Sequence, residues 1–210
     1  MDDAAFDNAL IAAAFQMVAE RGWGRLSVAA AAHAAGLSLA RARERFPNRA
    51  AILLRFGRLA DQAALAEAPS DGTVRDKLFY LLMRRIDLLQ AHRTGVLALL
   101  RDLPTQPATA LLLAMANRRS MRWMLGAADV PTVGISGDLR VKGLLAVWLW
   151  TIRAWRTDES TDLSTTMAAL DAALQRAERM AGWLGWRRRP PPETPAGFTA
   201  PEEPPPVAPA

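Results

Sequence analysis

Four arginines, Arg41, Arg43, Arg45 and Arg49, fall within nine residues of one another. A guanidinium is permanently charged and presents a rigid fork of donors that suits phosphate. Buried without a partner it is costly, so four of them this close fit a phosphate backbone better than a protein core. The chemistry this offers is binding rather than bond-making. The two histidines, His33 and His92, have no cysteine and no carboxylate at ligand spacing. A metal site takes about three protein ligands, so neither a metal nor a cofactor is expected. No glycine-rich phosphate loop, nucleophile elbow or zinc-protease helix motif occurs in the chain. Asp158, Asp162 and Asp171 lie near one another, but Asp162 reads as a helix cap and Asp158 as a turn residue. No acid–base pair follows from them, and the expectation is a protein that is not an enzyme.

The elements that must position the arginines are legible nearby. Ser27 precedes a short Ala-rich helix that stops at Gly36. Ser38 then caps a second, Leu39 to Arg45, its hydroxyl accepting from the first free N–H groups. Glycine just past a helix end is the favoured stop. Helix, turn and helix in this order form the helix-turn-helix plan, whose second helix can enter the DNA major groove. The expected partner is therefore double-stranded DNA. Ser27, Ser38, Leu39, Arg41, Ala42, Arg43, Arg45 and Arg49 are its candidate contacts. Upstream, Ile11, Ala14, Phe15 and Val18 repeat at helical spacing and give one apolar face, which Trp23 and Leu26 close into a small core.

The chain has 210 residues, 51% of them hydrophobic, enough to bury a sizeable core. Lysine and arginine exceed aspartate and glutamate by 26 to 21. Residues 190 to 210 carry Glu193, Glu202 and Glu203 and no base, so the remainder is more basic than the total. Cysteine is absent, which excludes disulfides and thiolate catalysis and fits the cytoplasm. The start of the chain is acidic and does not read as a signal peptide. The longest apolar run, Gly143 to Ile152, falls short of the roughly 18 residues a membrane helix needs.

Helical patterns dominate. Asn48 caps a helix running to about Ala68, and Pro69-Ser70-Asp71-Gly72 breaks the chain. Helices follow at Val74 to Gln90, Val96 to Leu103, Ala108 to Leu125, Leu139 to Trp155 and Asp162 to about Arg179, with Val130 to Gly137 as loop. The helix from Leu139 is apolar almost all round and needs cover on both sides. With the striped last helix it offers a two-fold interface between copies, with Leu144, Trp148, Ile152, Met167, Leu170 and Leu174 as candidate contacts. Phe79, Met83, Met115, Trp123 and Met124 can line an apolar cavity between the middle helices or fill ordinary core.

Residues 10 to 56 resemble the DNA-binding domain of the TetR family of bacterial repressors. The similarity rests on Ala13-Ala14-Phe15, Glu20, Gly22, Ser27, Ala32, Ala35-Gly36-Leu37-Ser38 and Phe46-Pro47-Asn48-Arg49. Arg43 stands where that family usually has tyrosine. The resemblance implies an all-α, TetR-like fold with a three-helix head over residues 1–47. It also implies an effector-binding and dimerisation body over 48–186, with the last two helices joining a homodimer. A small apolar effector would shift the spacing of the two heads. Residues 187–210 read as a disordered, Pro-rich tail.

Residues 155 to 171 resemble a second family, the TetR-fold lipid-binding accessory proteins of ubiquinone biosynthesis. The matching residues are Trp155, Asp158, Ser160, Asp162, Thr166, Leu170 and Asp171, with Gly22-Trp23 and Phe46-Pro47 also similar. Ala169 stands where that family tends to carry phenylalanine. This resemblance implies the alternative of a lipid-binding accessory protein with a vestigial helix-turn-helix. Trp183, Trp186, Arg187, Arg188 and Arg189 would suit a membrane surface, rings at headgroup depth and guanidiniums on anionic lipid. The apolar stretch is short, so they suit better a helix end whose tryptophans pack on the body and whose arginines favour the dipole's negative pole.

Overall fold

Short-range signals decide where the helices begin. Asp2, Ser27, Ser38, Asn48 and Thr73 each accept a backbone N–H through the side chain at the start of a helix. The computed structural model describes residues 1–183, with side chains to Met180, and nine helices account for most of them. They are α1 (Asp3–Arg21), α2 (Val28–Ala34), α3 (Leu39–Arg45), α4 (Arg49–Ala66), α5 (Val74–Ala91), α6 (Arg93–Asp102), α7 (Pro107–Ala127), α8 (Gly134–Thr157) and α9 (Ser164–Trp183). There is no strand among the described residues, so the fold is all-α. No helix among them is long and apolar enough to cross a membrane. Trp186, Arg187, Arg188, Arg189 and the tail over 187–210 lie outside the described residues, and the side chain of Trp183 does too.

Several boundaries differ from the periodic pattern, and two helix starts differ by three residues or more. α6 starts at Arg93 rather than Val96. α8 starts at Gly134, inside the stretch expected to be loop. That early turn is possible because Gly137 packs directly on the backbone of Thr132, where a Cβ would collide.

Helices α1 to α3 form a small head whose core is Phe6, Leu10, Ile11, Ala14, Val18, Ala31, Ala32, Ala42 and Phe46. The head leans on α6. Gly95 of α6 lies against the Phe15 backbone so closely that a Cβ would overlap its carbonyl. The Trp23 N–H donates to Asp102 at 2.7 Å, and its indole N–H to Thr109 at 3.1 Å. In the body, α5 packs against α4, α7 and α9, and α8 pairs with α9.

The joint between α8 and α9 is built on one carboxylate. Asp158 is buried, and it accepts from the N–H and hydroxyl of both Ser160 and Thr166. It is thus a structural anchor rather than a plain turn residue. Asp162 accepts from the Ser164 N–H at 3.1 Å, just ahead of α9. Burial pushes the Asp158 carboxyl up, but the four hydrogen bonds outweigh it and hold it well below its ordinary 3.8. The unfolded chain therefore takes up this proton first as pH falls. The stabilisation is complete above about pH 4 and is lost as pH falls further. Asp158→Asn should cost about 2 kcal/mol at neutral pH. Urea midpoints measured against pH should show that difference shrinking below pH 4.

Candidate nucleic-acid interface

The turn between α2 and α3 is closed by backbone chemistry. Leu37 N–H returns to Ala32 O at 2.8 Å and Gly36 N–H to His33 O at 3.1 Å. This double return requires a left-handed residue between them, and Gly36 supplies it at φ 64°. Ser38 then accepts the Arg41 N–H at 3.4 Å. Leu37, Ala42 and Phe46 turn inward. Ser38, Leu39, Ala40, Arg43 and Glu44 therefore face outward, with Leu39 42% exposed.

The eight expected DNA contacts separate into three sets. Ser27, Ser38, Leu39 and Arg43 are exposed on the outer surface of the head. A serine hydroxyl that accepts at a cap still has its own proton to donate to a phosphate. Among the described residues, the Arg43 side chain donates only to Pro47 O, at 3.0 Å. Ala42 is a correction: it is buried beneath α3 and cannot touch DNA.

The other three arginines are half-buried and engaged by groups of the protein itself. Arg45 grips Asp7 with two bonds, Nε to Oδ1 at 2.7 Å and Nη2 to Oδ2 at 2.9 Å. Arg55 of α4 adds a third at 2.6 Å. Arg41 pairs with Asp3, and its guanidinium lies 4.5 Å over the Phe6 ring. Arg49 donates to Trp23 O at 3.2 Å and Gly24 O at 3.0 Å, with its guanidinium 5.5 Å from the centre of the Trp23 ring. The arginine cluster is thus partly architectural. Asp3 and Asp7 are the residues missed, and their i, i+4 spacing on an amphipathic helix was the available signal.

Asp7 is the hub. Burial raises its carboxyl, but hydrogen bonds from Arg45 and then Arg55 outweigh this and hold it below the ordinary carboxylate value. It ties α1 to α3 and α4 at once. Removing one partner of a buried charge cluster leaves the others uncompensated.

The expected cavity residues do not converge. Met124 is fully buried, Phe79 and Met83 are half-buried on α5, and Met115 and Trp123 point outward from α7. The last two line an open groove of about 840 Å³ with Leu65, Arg118, Arg119 and Arg122. Within the body lies a buried cation that periodicity did not anticipate. Arg85 Nε is 3.0 Å from Asp61 Oδ1, and its guanidinium covers the Trp148 ring at 4.5 Å. Ser120 donates to the other Asp61 oxygen at 2.6 Å. Among the described residues, Arg85 Nη1 has no hydrogen-bond partner. Burial lowers the Arg85 pKa against the pull of Asp61. Among the described residues no group of three His, Asp or Glu side chains could hold a metal.

The expected interface residues also need correcting. Leu144, Trp148, Leu170 and Leu174 are buried within their own chain, filling the core between α8, α9 and α5. Ile152 and Met167 are half-buried. The free apolar face of α8 is a different one, carrying Ile135, Leu139, Leu149 and Trp150. Periodicity could not choose between the faces because both are apolar.

Asp7→Ala should destabilise the protein by about 3 kcal/mol, the low end for a broken buried pair because Arg45 and Arg55 can partly rehydrate. Chemical unfolding followed by far-ultraviolet circular dichroism reads this directly.

Compared by sequence, the chain matches no family model and no curated protein. Solved structures are similar in fold. The TetR transcriptional regulator from Nitrosomonas europaea matches with a TM-score of 0.65 at 21% identity, over 83% of this chain and 99% of that one. A tetR-family regulator from Streptomyces coelicolor matches at 0.59 and 20%, over 89% and 87% of the two chains. One from Rhodococcus sp. RHA1 matches at 0.55 and 15%, over 84% and 97%. The chain therefore has the fold of the TetR-family transcriptional regulators.

Proposed function

We propose that the protein is a DNA-binding transcriptional regulator that works as a homodimer in the cytoplasm. The observation that carries this reading is the outward face of α3. It stands at the end of a tightly closed turn and carries Ser38, Leu39 and Arg43, all exposed. A helix presented this way can enter a major groove, with Ser27 and Ser38 on the flanking phosphates.

Dimerisation is supported by the outer face of α8. Leu149 and Trp150 are 58% and 51% exposed, and exposed Leu139 lies on the same face about three turns earlier. Arg176 of α9 lies 5.8 Å from the centre of the Trp150 ring, so the face continues onto α9. Two copies joined there by two-fold symmetry would present two heads to one duplex. A small effector in the body would act by favouring one head separation over another. The buried Arg85 supports a ligand acting there, because an under-satisfied guanidinium among α4, α5, α7 and α8 can donate to a further acceptor.

Arg43→Ala should weaken DNA binding and reduce the slope of log affinity against log salt by about one. A fluorescence titration of labelled duplex at several salt concentrations measures both, and a wild type that binds no duplex at low salt contradicts the function. Leu149→Asp should give a folded monomer in sedimentation. Leu170→Asp, which places a charge in the closed core, should instead unfold the chain at a cost of several kcal/mol. A wild type that sediments as a monomer at micromolar concentration contradicts the dimer.

A further inference from the structure

Arg41 and Arg45 share one exposed acid on the first turn of α1. Asp3 is 66% exposed, its Oδ2 lies 2.6 Å from Arg45 Nη1, and its Oδ1 accepts from Arg41 Nη2. The Arg41 Nη1 donates to the Met1 carbonyl at 3.0 Å. The two arginines are not equivalent. Arg45 keeps the buried Asp7 whatever Asp3 does, so its position is architectural. Among the described residues, the polar partners of the Arg41 side chain all belong to the exposed first residues of the chain, and the side chain is 32% exposed.

An exposed ion pair of this kind is weak and exchangeable, because both partners are well solvated. A DNA phosphate is an acceptor of the same class as the Asp3 carboxylate, and guanidinium binds either through paired N–H donors. Both cannot hold the same donors at once. The Arg41 hydrogen bond also keeps the Asp3 carboxyl below its ordinary value, so the competitor is fully charged at neutral pH. Its charge beside α3 further opposes the approach of a phosphate.

We propose that Asp3 is a built-in competitor of the DNA backbone, occupying Arg41 and holding the affinity of the recognition helix below what its arginines would otherwise give. This rests on the DNA-binding reading above. Its consequence is that Arg41 contributes little to wild-type binding while Asp3 is present, whereas Arg43 contributes fully.

The test is the full chain carrying Asp3→Asn, titrated with a fluorescein-labelled mixed-sequence duplex between 50 and 200 mM salt. Freeing one phosphate contact should steepen the salt slope by about 0.9, which corresponds to about a threefold change in relative affinity across that range. The variant should therefore bind several-fold more tightly at 50 mM, and the advantage should fall by about threefold by 200 mM. Arg41→Ala should weaken binding more in the Asp3→Asn background than in the wild type, a coupling that a general stability effect would not produce. Circular dichroism should show the same helix content in all variants. Wild-type affinity and slope in Asp3→Asn, with Arg43→Ala still impaired, would overturn the competition and leave the DNA reading standing. If neither wild type nor Asp3→Asn binds the duplex at 50 mM, both are wrong.

Discussion

One turn of chain, His92 to Gly95, ties the head to the body. Gly95 lets α6 approach the backbone of Phe15 more closely than any side chain permits. The His92 ring stacks on Phe15 at 5.4 Å and meets the edge of Phe56 at 5.6 Å, joining α1 and α4. Burial lowers the His92 pKa from 6.5, so the ring is uncharged at neutral pH and suits this apolar seat. Arg93 then donates to the Asp158 carbonyl at 2.7 Å and covers the Trp155 ring at 4.8 Å. The indole of Trp155 donates to Gln90 at 2.9 Å. The head, the α8–α9 joint and the end of α5 are thus gathered at one place. Close-packed contacts of this kind are displaced in discrete steps rather than deformed smoothly. A change in the body that shifts α6 therefore has a direct mechanical route to the head.

The charges of the head serve two purposes, and separating them changes how α3 is understood. Arg45, Arg55 and Asp7 close a buried network that orients α3 on α1 and α4. Arg49 closes the turn at Trp23. What remains for a partner is the outward strip headed by Ser38, Leu39 and Arg43, with Arg41 engaged by the first turn of α1. The head resembles a positioned reading element more than a general basic surface. The same holds in the body, where Arg85 sits among apolar side chains opposite Asp61 rather than at the surface.

Much of this was legible because it is local. Ser27, Gly36, Ser38 and Asn48 mark helix ends through hydrogen bonds to residues two or three away, and each does so in the structure. What was not legible depends on which distant group answers a charge or covers an apolar face. Asp3 and Asp7 lie about forty residues from the arginines they hold. Arg85 falls at core spacing between Leu82 and Leu89, and nothing local in the sequence shows that it is buried or that Asp61 answers it. On α8 both faces are apolar, so only packing shows that Leu144 and Trp148 go inward while Leu149 and Trp150 stay out. Asp158, Ser160 and Thr166, central to the second resemblance, have a structural explanation as the carboxylate joint that starts α9.

The central claim is that two heads, one from each copy, place α3 in successive major grooves of one duplex. Selecting bound sequences from a random DNA pool and footprinting the winner with hydroxyl radicals tests this most directly. The account predicts two protected patches on one face of the DNA, about one helical turn of 34–36 Å or a small multiple apart, related by a pseudo-palindrome. A pool that is not enriched over its input, or protection spread evenly along the duplex, would contradict it.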